Sequence, residues 1–75
     1  MSNAIADFMV HLNDDLYPGE RQLLEHDLRA GACVVSAHIP DWAPHLLLVV
    51  YDSECTHARD ILGRVRGMGV HASML

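Results

Sequence analysis

Three histidines and a methionine, all side chains that bind transition metals, occupy alternate positions of segments predicted to be strands. Met9 and His11 alternate with apolar residues near the start of the chain, and His38 and His71 take the same kind of position in two later segments. If the first and last strands are neighbours, His11 and His71 come close enough to share an ion, with Met9 or His38 nearby. Imidazole ligands favour Zn, Cu or Ni. The alternative is that these are the ordinary outward residues of half-exposed strands.

The chain has two cysteines, Cys33 and Cys55, at a spacing that fits no zinc-binding signature. Two cysteines cannot form a disulfide framework, and in a reducing compartment both are expected to be free thiols. Cys33 begins the second predicted strand and is expected across from Tyr51, at the same end of the sheet as Cys55. A two-thiol site or a disulfide at that end is the alternative to a buried Cys33 and an incidental Cys55.

Three carboxylates, Asp14, Asp15 and Glu20, surround a predicted loop and the start of a helix. They could hold a hard cation, but acids in this position more often cap the helix and keep the surface hydrated. The sequence shows no set of nucleophile, base and orienting group, no paired catalytic carboxylates and no phosphate-binding glycine loop. It therefore predicts a protein that is not an enzyme.

The formal charge of −5 comes from ten acidic residues against five arginines, with no lysine. This balance argues against nucleic acid, because affinity for phosphate backbones comes from clustered Lys and Arg. The longest apolar run, Leu46 to Tyr51, is far too short to span a bilayer, and no leader-like segment opens the chain. We expect a small soluble cytoplasmic protein with one domain over residues 1–75.

Hydrophobic periodicity divides the chain into six elements. Residues 5–12 alternate as a strand, and Pro18 suits the first position of a helix that buries Leu24 and Leu28 and ends at Gly31. Strands at 33–39 and 45–52 flank a turn, and a helix and a short strand over 70–74 follow. Right-handed crossovers then predict an α+β, ferredoxin-like βαββαβ sandwich. It has a four-stranded antiparallel sheet with two helices on one face and the first and third strands in the centre.

The same periodicity predicts which side chains face the core. Thr56 is the expected N-cap of the second helix, and Gly69 follows its end. Trp42 is interpreted as an anchor that folds over the turn at 40–44, with partner binding as the alternative. The residues expected to point inward in the second strand, second helix and last strand are Cys33, Val35, Ala37, Ile39, Ala58, Ile61, Leu62, Val65, Met68, Val70, Ala72 and Met74.

The third strand is apolar on both faces, with Leu46, Leu48 and Val50 on the side that no helix covers. A monomer would expose this strip to water, and strips larger than a few hundred Å² usually mark contact surfaces. The sequence therefore predicts a homodimer or another protein partner at this face, with the outward histidines at or near the contact.

Four short segments resemble the heavy-metal-associated (HMA) domains of copper chaperones and metal-pumping ATPases. They are Leu28-Arg29-Ala30-Gly31, Val34-Val35, Tyr51-Asp52 and Met68-Gly69-Val70. The resemblance covers nearly the whole chain, rests on scaffold residues and implies the ferredoxin-like fold described above.

The residues that carry the chemistry of HMA domains are different here. The family has a Gly-Met-x-Cys-x-x-Cys loop between its first strand and first helix, whereas residues 13–20 read Asn-Asp-Asp-Leu-Tyr-Pro-Gly-Glu. Cu(I) needs soft thiolates, so we expect no Cu(I) site in this loop. The resemblance implies a transition-metal-related binding protein with a degenerate or exchanged metal site. The alternative function is a non-catalytic interaction or dimerisation module that uses the helix-free sheet face.

Overall fold

A computed structural model describes residues 4–75 of the chain. The elements in chain order are β1 Ile5–Leu12, α1 Pro18–Arg29, β2 Val34–His38, β3 Leu46–Asp52, α2 Ala58–Gly67 and β4 Ala72–Met74. The strands form one antiparallel sheet in the order β2-β3-β1-β4, so β1 and β3 are central as predicted. The ferredoxin-like βαββαβ fold is confirmed. No helix in residues 4–75 combines the length and the apolar character needed to cross a membrane.

Both helices pack against the same face of the sheet, since their buried residues share one core with alternate residues of the strands. In β1, Val10 and Leu12 are fully buried, whereas Met9 and His11, which alternate with them, are exposed on the other face. β3 repeats the pattern with Leu47 buried between two half-buried neighbours. The buried core is Val10, Leu12, Leu24, Leu28, Ala37, Ile39, Leu47, Val49, Tyr51, Ile61, Leu62, Val65 and Ala72.

The first helix begins at Pro18, where the missing N–H of proline costs nothing. The backbone N–H of Tyr17, the N-cap residue, donates a hydrogen bond of 2.9 Å to Oε1 of Glu20. At the other end, the N–H of Ala30 donates to the carbonyl of His26 at 3.0 Å and closes the last turn. Glu20 therefore serves as a helix cap, which is the second of the two readings of the acidic loop.

A β-bulge interrupts β2 and changes which residues face the core. Val34 pairs with Tyr51, but Ser36 pairs with Val50, the residue just before Tyr51, so Val35 is one extra residue in β2. Val34 is partly buried against the core, and Val35 is 59% exposed. The predicted inward position of Val35 is wrong, because the extra residue of a bulge shifts the alternation.

The second helix has different ends from those predicted. Its N-cap is His57 rather than Thr56, and Met68, the C-cap residue, is 41% exposed rather than buried. The helix stops before Met68 because the chain turns at Gly69, whose φ of +86° is in the left-handed region that favours glycine. The three most central residues of the predicted stripe are buried as expected: Ile61, Leu62 and Val65.

Two further apolar side chains lie outside the core. Met74 in β4 is exposed, while Ala72 is buried and Val70, before the strand, packs partly buried against the core. Trp42 is 81% exposed, so the prediction that it folds over the turn at 40–44 is wrong.

Candidate functional site

The loop between β1 and α1 lies beside the residues that lead into β3 and β4. The backbone N–H of Leu12 donates to the carbonyl of His45 at 2.8 Å, and that of Asn13 donates to the carbonyl of His71 at 2.8 Å. These two bonds bring the loop acids next to imidazole rings from distant parts of the sequence. We call the five side chains at this end of the sheet the loop-end cluster, although the structure joins them only in pairs: His11, Asp14, Asp15, His45 and His71.

Asp14 and His71 form the first pair of this cluster. The backbone N–H of His71 donates to Oδ2 of Asp14 at 2.8 Å, and the ring Nδ1 lies 3.1 and 3.2 Å from the two carboxylate oxygens. The backbone donor, and after it the ring, hold the pKa of the Asp14 carboxyl below its ordinary value. This pair fixes the loop to the start of β4.

Asp15 and His45 form the second pair. Nδ1 of His45 lies 2.6 Å from the carbonyl oxygen of Leu12, and Nε2 lies 3.0 Å from Oδ1 of Asp15. A carbonyl oxygen only accepts hydrogen bonds, so Nδ1 must carry a proton. Nε2 can then either donate a second proton to Asp15 or offer its lone pair to a metal ion. The ring of His11 lies alongside, with centroids 6.1 Å apart and planes 21° apart.

The four residues predicted as metal ligands have separate surroundings in the structure. His71 contacts Asp14, His11 stacks on His45, and Nδ1 of His38 lies 3.3 Å from Oε2 of Glu25. Met9 lies on the helix-free sheet face and is half-exposed. Within residues 4–75, no three His, Cys, Asp or Glu side chains already converge as an ion would require. Metal binding by His11, His71, Met9 and His38 stays a prediction.

Sequence reasoning missed His45. Its position follows from strand register: His11 pairs with Leu46, so His45 comes directly opposite Leu12. A histidine that opens a central strand next to an acidic loop was the available signal. This signal places His45 beside the loop acids only when β1 and β3 are neighbours, and the predicted topology already makes them neighbours.

The two cysteines are joined to each other. Cys33 and Cys55 form a disulfide with a Cα–Cα distance of 5.5 Å, and residues 4–75 contain no free cysteine. The expectation of free thiols is therefore wrong. The N–H of Asp52 donates to the carbonyl of Cys33 at 2.9 Å, and a turn returns the N–H of Cys55 to the carbonyl of Asp52 at 3.0 Å. Strand pairing thus brings the two sulfurs together at the end of the sheet opposite the loop-end cluster.

These residues do not fit the Cu(I) site of an HMA domain. The loop between β1 and α1 offers carboxylates where soft thiolates are needed, and the cysteines of the chain are bonded to each other at the other end of the sheet. The donor set of the loop-end cluster, imidazole and carboxylate, suits borderline divalent cations such as Zn²⁺.

The apolar strip on the helix-free sheet face is less exposed than predicted. Leu46, Leu48 and Val50 are half-buried by their neighbours on the sheet. Met9 and Leu75 are the more exposed apolar side chains, at 48% and 67%. They border a shallow depression of about 440 Å³ whose lining residues are Asp7, Phe8, Met9, Leu48, Val49, Val50 and Leu75.

Comparison with known proteins supports the fold assignment. No protein-family model matches the chain, and no curated protein does. Among solved structures, the copper-binding domain from HMA7, a P-type ATPase, superposes with a TM-score of 0.81 at 19% sequence identity, over 92% of each chain. The protein therefore has an HMA-like ferredoxin fold, as the scaffold residues predicted. At this identity the likeness concerns the backbone fold and not the metal-ligating side chains.

Proposed function

We propose that this protein is a non-catalytic metal-binding domain of HMA-like fold in which imidazole and carboxylate ligands have replaced the thiolate loop. The ion would be a borderline divalent cation, Zn²⁺, Ni²⁺ or Cu²⁺, bound at the loop-end cluster. The observation that carries the proposal is a pair of donor atoms where the β1–α1 loop meets the residue before β3: Nε2 of His45 and Oδ1 of Asp15, 3.0 Å apart.

That separation is compatible with two ligands of a single ion. In a tetrahedral site, zinc–nitrogen and zinc–oxygen bonds of about 2.0–2.2 Å place two ligand atoms roughly 3.3–3.5 Å apart, so these two atoms need to separate by only a few tenths of an ångström. The carbonyl of Leu12 holds Nδ1 of His45 and directs Nε2 toward the loop, which is the outer-shell arrangement found around metal-bound histidines. Asp15 is 96% exposed, so its carboxylate can turn toward an ion without disturbing the core.

His11 is the third donor within reach. Two imidazoles on one tetrahedral ion have ring centres about 5–6 Å apart. The 6.1 Å between the rings of His11 and His45 is close to this, and a modest rotation of the exposed His11 side chain would complete the set. A site so exposed would bind weakly compared with a closed structural zinc site.

Calorimetric titration of the oxidised chain with Zn²⁺, Ni²⁺ and Cu²⁺ tests the proposal. We expect one equivalent of at least one ion, with binding lost in His45→Ala and weakened at least tenfold in Asp15→Asn and His11→Ala. His57→Ala, an exposed histidine at the start of α2, is the matched control and should bind as the parent does.

The same titration separates the cluster from the ligands that the sequence predicted. If His71→Ala or His38→Ala abolishes binding while His45→Ala does not, the ion belongs to the predicted set. Absence of heat with all three ions rejects metal binding.

A second candidate function has its own observation. The helix-free sheet face carries exposed Met9 and Leu75 beside a shallow depression, which favours a protein interaction module. This candidate does not need a metal.

A further inference from the structure

The helix-free sheet face has an internal symmetry in its residue pattern. Strand register places four outward residues in one row across the sheet: His38 beside Leu48, Leu48 beside Met9, and Met9 beside Leu75. We call this the central row. Three of its four side chains are apolar, and it runs across β2, β3 and β1 to the residue that follows β4.

The rows on either side of the central row complement each other. Toward the start of β1, Asp7 lies beside Val50; toward its end, His11 lies beside Leu46. Both rows are two residues from Met9, about 7 Å along the strand. One row thus combines a carboxylate with an aliphatic residue, and the other combines an imidazole with an aliphatic residue.

We infer that this face binds a second copy of the same chain, with a two-fold axis running along the central row. Such an axis reverses the strand direction between copies, so Leu48 and Met9 meet their own equivalents. Val50 of one copy then faces Leu46 of the other, and Asp7 faces His11.

The arrangement of hydrogen-bond donors and acceptors on this face favours a second copy of the chain over an unrelated protein. The carboxylate of Asp7 only accepts hydrogen bonds, and an imidazole N–H of His11 donates them, so each copy supplies what the other lacks. The two contacts occur twice by symmetry, on both sides of an apolar centre. An interface with an apolar centre and polar contacts outside it is the usual arrangement between proteins. The inference rests on the second candidate function, whose partner it names, and not on metal binding.

The contact would be small. Four strands about 4.8 Å apart and three rows along each strand cover less than the roughly 800 Å² per partner of a standard interface. We therefore expect a weak, reversible dimer. Analytical ultracentrifugation should be run up to about 1 mM, with chelator present so that bound metal cannot bridge two copies.

Substitutions at the axis give the sharpest test. Leu48→Asp places two carboxylates against each other and should abolish the dimer, and Leu48→Lys should do the same with two amines. An equimolar mixture of the two variants should form a dimer again, because each copy then faces the opposite charge. Only a residue that meets its own equivalent behaves in this way.

A charge exchange tests the flanking rows. Asp7→His and His11→Asp should each weaken association about tenfold or more, because like groups then face each other. The double variant Asp7→His, His11→Asp should recover it.

Cross-linking fixes the position of the axis. A short bis-maleimide reagent should join two copies of Met9→Cys, since this residue lies on the axis. Ile5→Cys is the matched control on the same face: four residues from the axis, its two copies would be about 27 Å apart and should not be joined. The parent chain, with both native cysteines in the disulfide, should not react.

Several outcomes would overturn the inference. A parent chain that stays monomeric throughout the concentration range rejects self-association altogether. A dimer that survives Leu48→Asp, or that links Ile5→Cys as readily as Met9→Cys, rejects the two-fold arrangement and leaves an interaction module that uses another surface.

Discussion

The same substitution at two valines distinguishes the observed register of β2 from the one that its sequence predicts. Simple alternation places both Val35 and Val49 in the core. In the structure Val49 has no exposed surface, whereas the bulge leaves Val35 59% exposed. Val49→Ala and Val35→Ala remove identical groups, so their difference reports burial.

The expected magnitudes follow from burial. Removing the two methyl groups of Val49 forfeits about 0.8 kcal/mol of transfer free energy for each, and the cavity left in the centre of the sheet adds to this. We expect Val49→Ala to lower the free energy of unfolding by about 2–3 kcal/mol. Val35→Ala should cost less than about 0.5 kcal/mol, because its methyl groups already contact water. The lower strand preference of alanine applies to both variants and largely cancels.

Urea denaturation followed by circular dichroism measures both values. In a domain of this size each kcal/mol shifts the melting temperature by about 4–8 °C, so the two variants should differ by roughly 8–16 °C. The slopes of the urea transitions should be unchanged, since neither substitution alters the surface exposed on unfolding. Equal destabilisation of the two variants would show that β2 has no bulge and that Val35 faces the core.

Two further predictions concern the cross-link and the loop. The disulfide joins residues with a sequence separation of 22 and so closes a loop. Its reduction, or the double change Cys33→Ser, Cys55→Ser, should therefore lower the free energy of unfolding by about 3 kcal/mol. A urea midpoint that is unaffected by reductant would mean that the bond does not form in solution. Because His71 holds the folded-state pKa of Asp14 below its ordinary value of 3.8, the stabilisation by Asp14 is fully present above that value and is lost as the pH falls through the folded-state pKa. Asp14→Asn should therefore lower the melting temperature at pH 7 but not below the folded-state pKa, with the exposed Asp41→Asn as control; a difference that persists at acid pH would contradict the role of the carboxylate.

In the helices, the local spacing of apolar residues is enough to predict which side chains are buried. Leu24 and Leu28 in α1, and Ile61 and Val65 in α2, are buried as their spacing predicts. A helix can bury a stripe only where apolar residues recur every three or four positions, so this information is local. The end of α2 was less predictable: Met68 continues the apolar spacing, but the backbone has already left the helix toward Gly69.

The contacts of the candidate site, unlike the buried faces of the helices, do not follow from local spacing in the sequence. Its contacts join residues far apart in the chain: Asp14 meets His71 across 57 positions, and His45 meets Leu12 across 33. The sequence predicted that histidines and loop acids exist, but it paired His11 with His71 and treated the acids as caps. Which imidazole meets which carboxylate depends on side-chain directions at the ends of strands, and no periodicity encodes these.

The sequence by itself determined the order of the elements, the topology of the sheet and the face that the helices cover. These follow from the alternation of apolar residues and from the handedness of crossover connections, which every residue of an element reinforces. Only the tertiary structure decided the bulge at Val35, the bond between Cys33 and Cys55 and the partners of His45. Each of these depends on the register between strands that are distant in the chain, where a shift of a single residue changes the outcome.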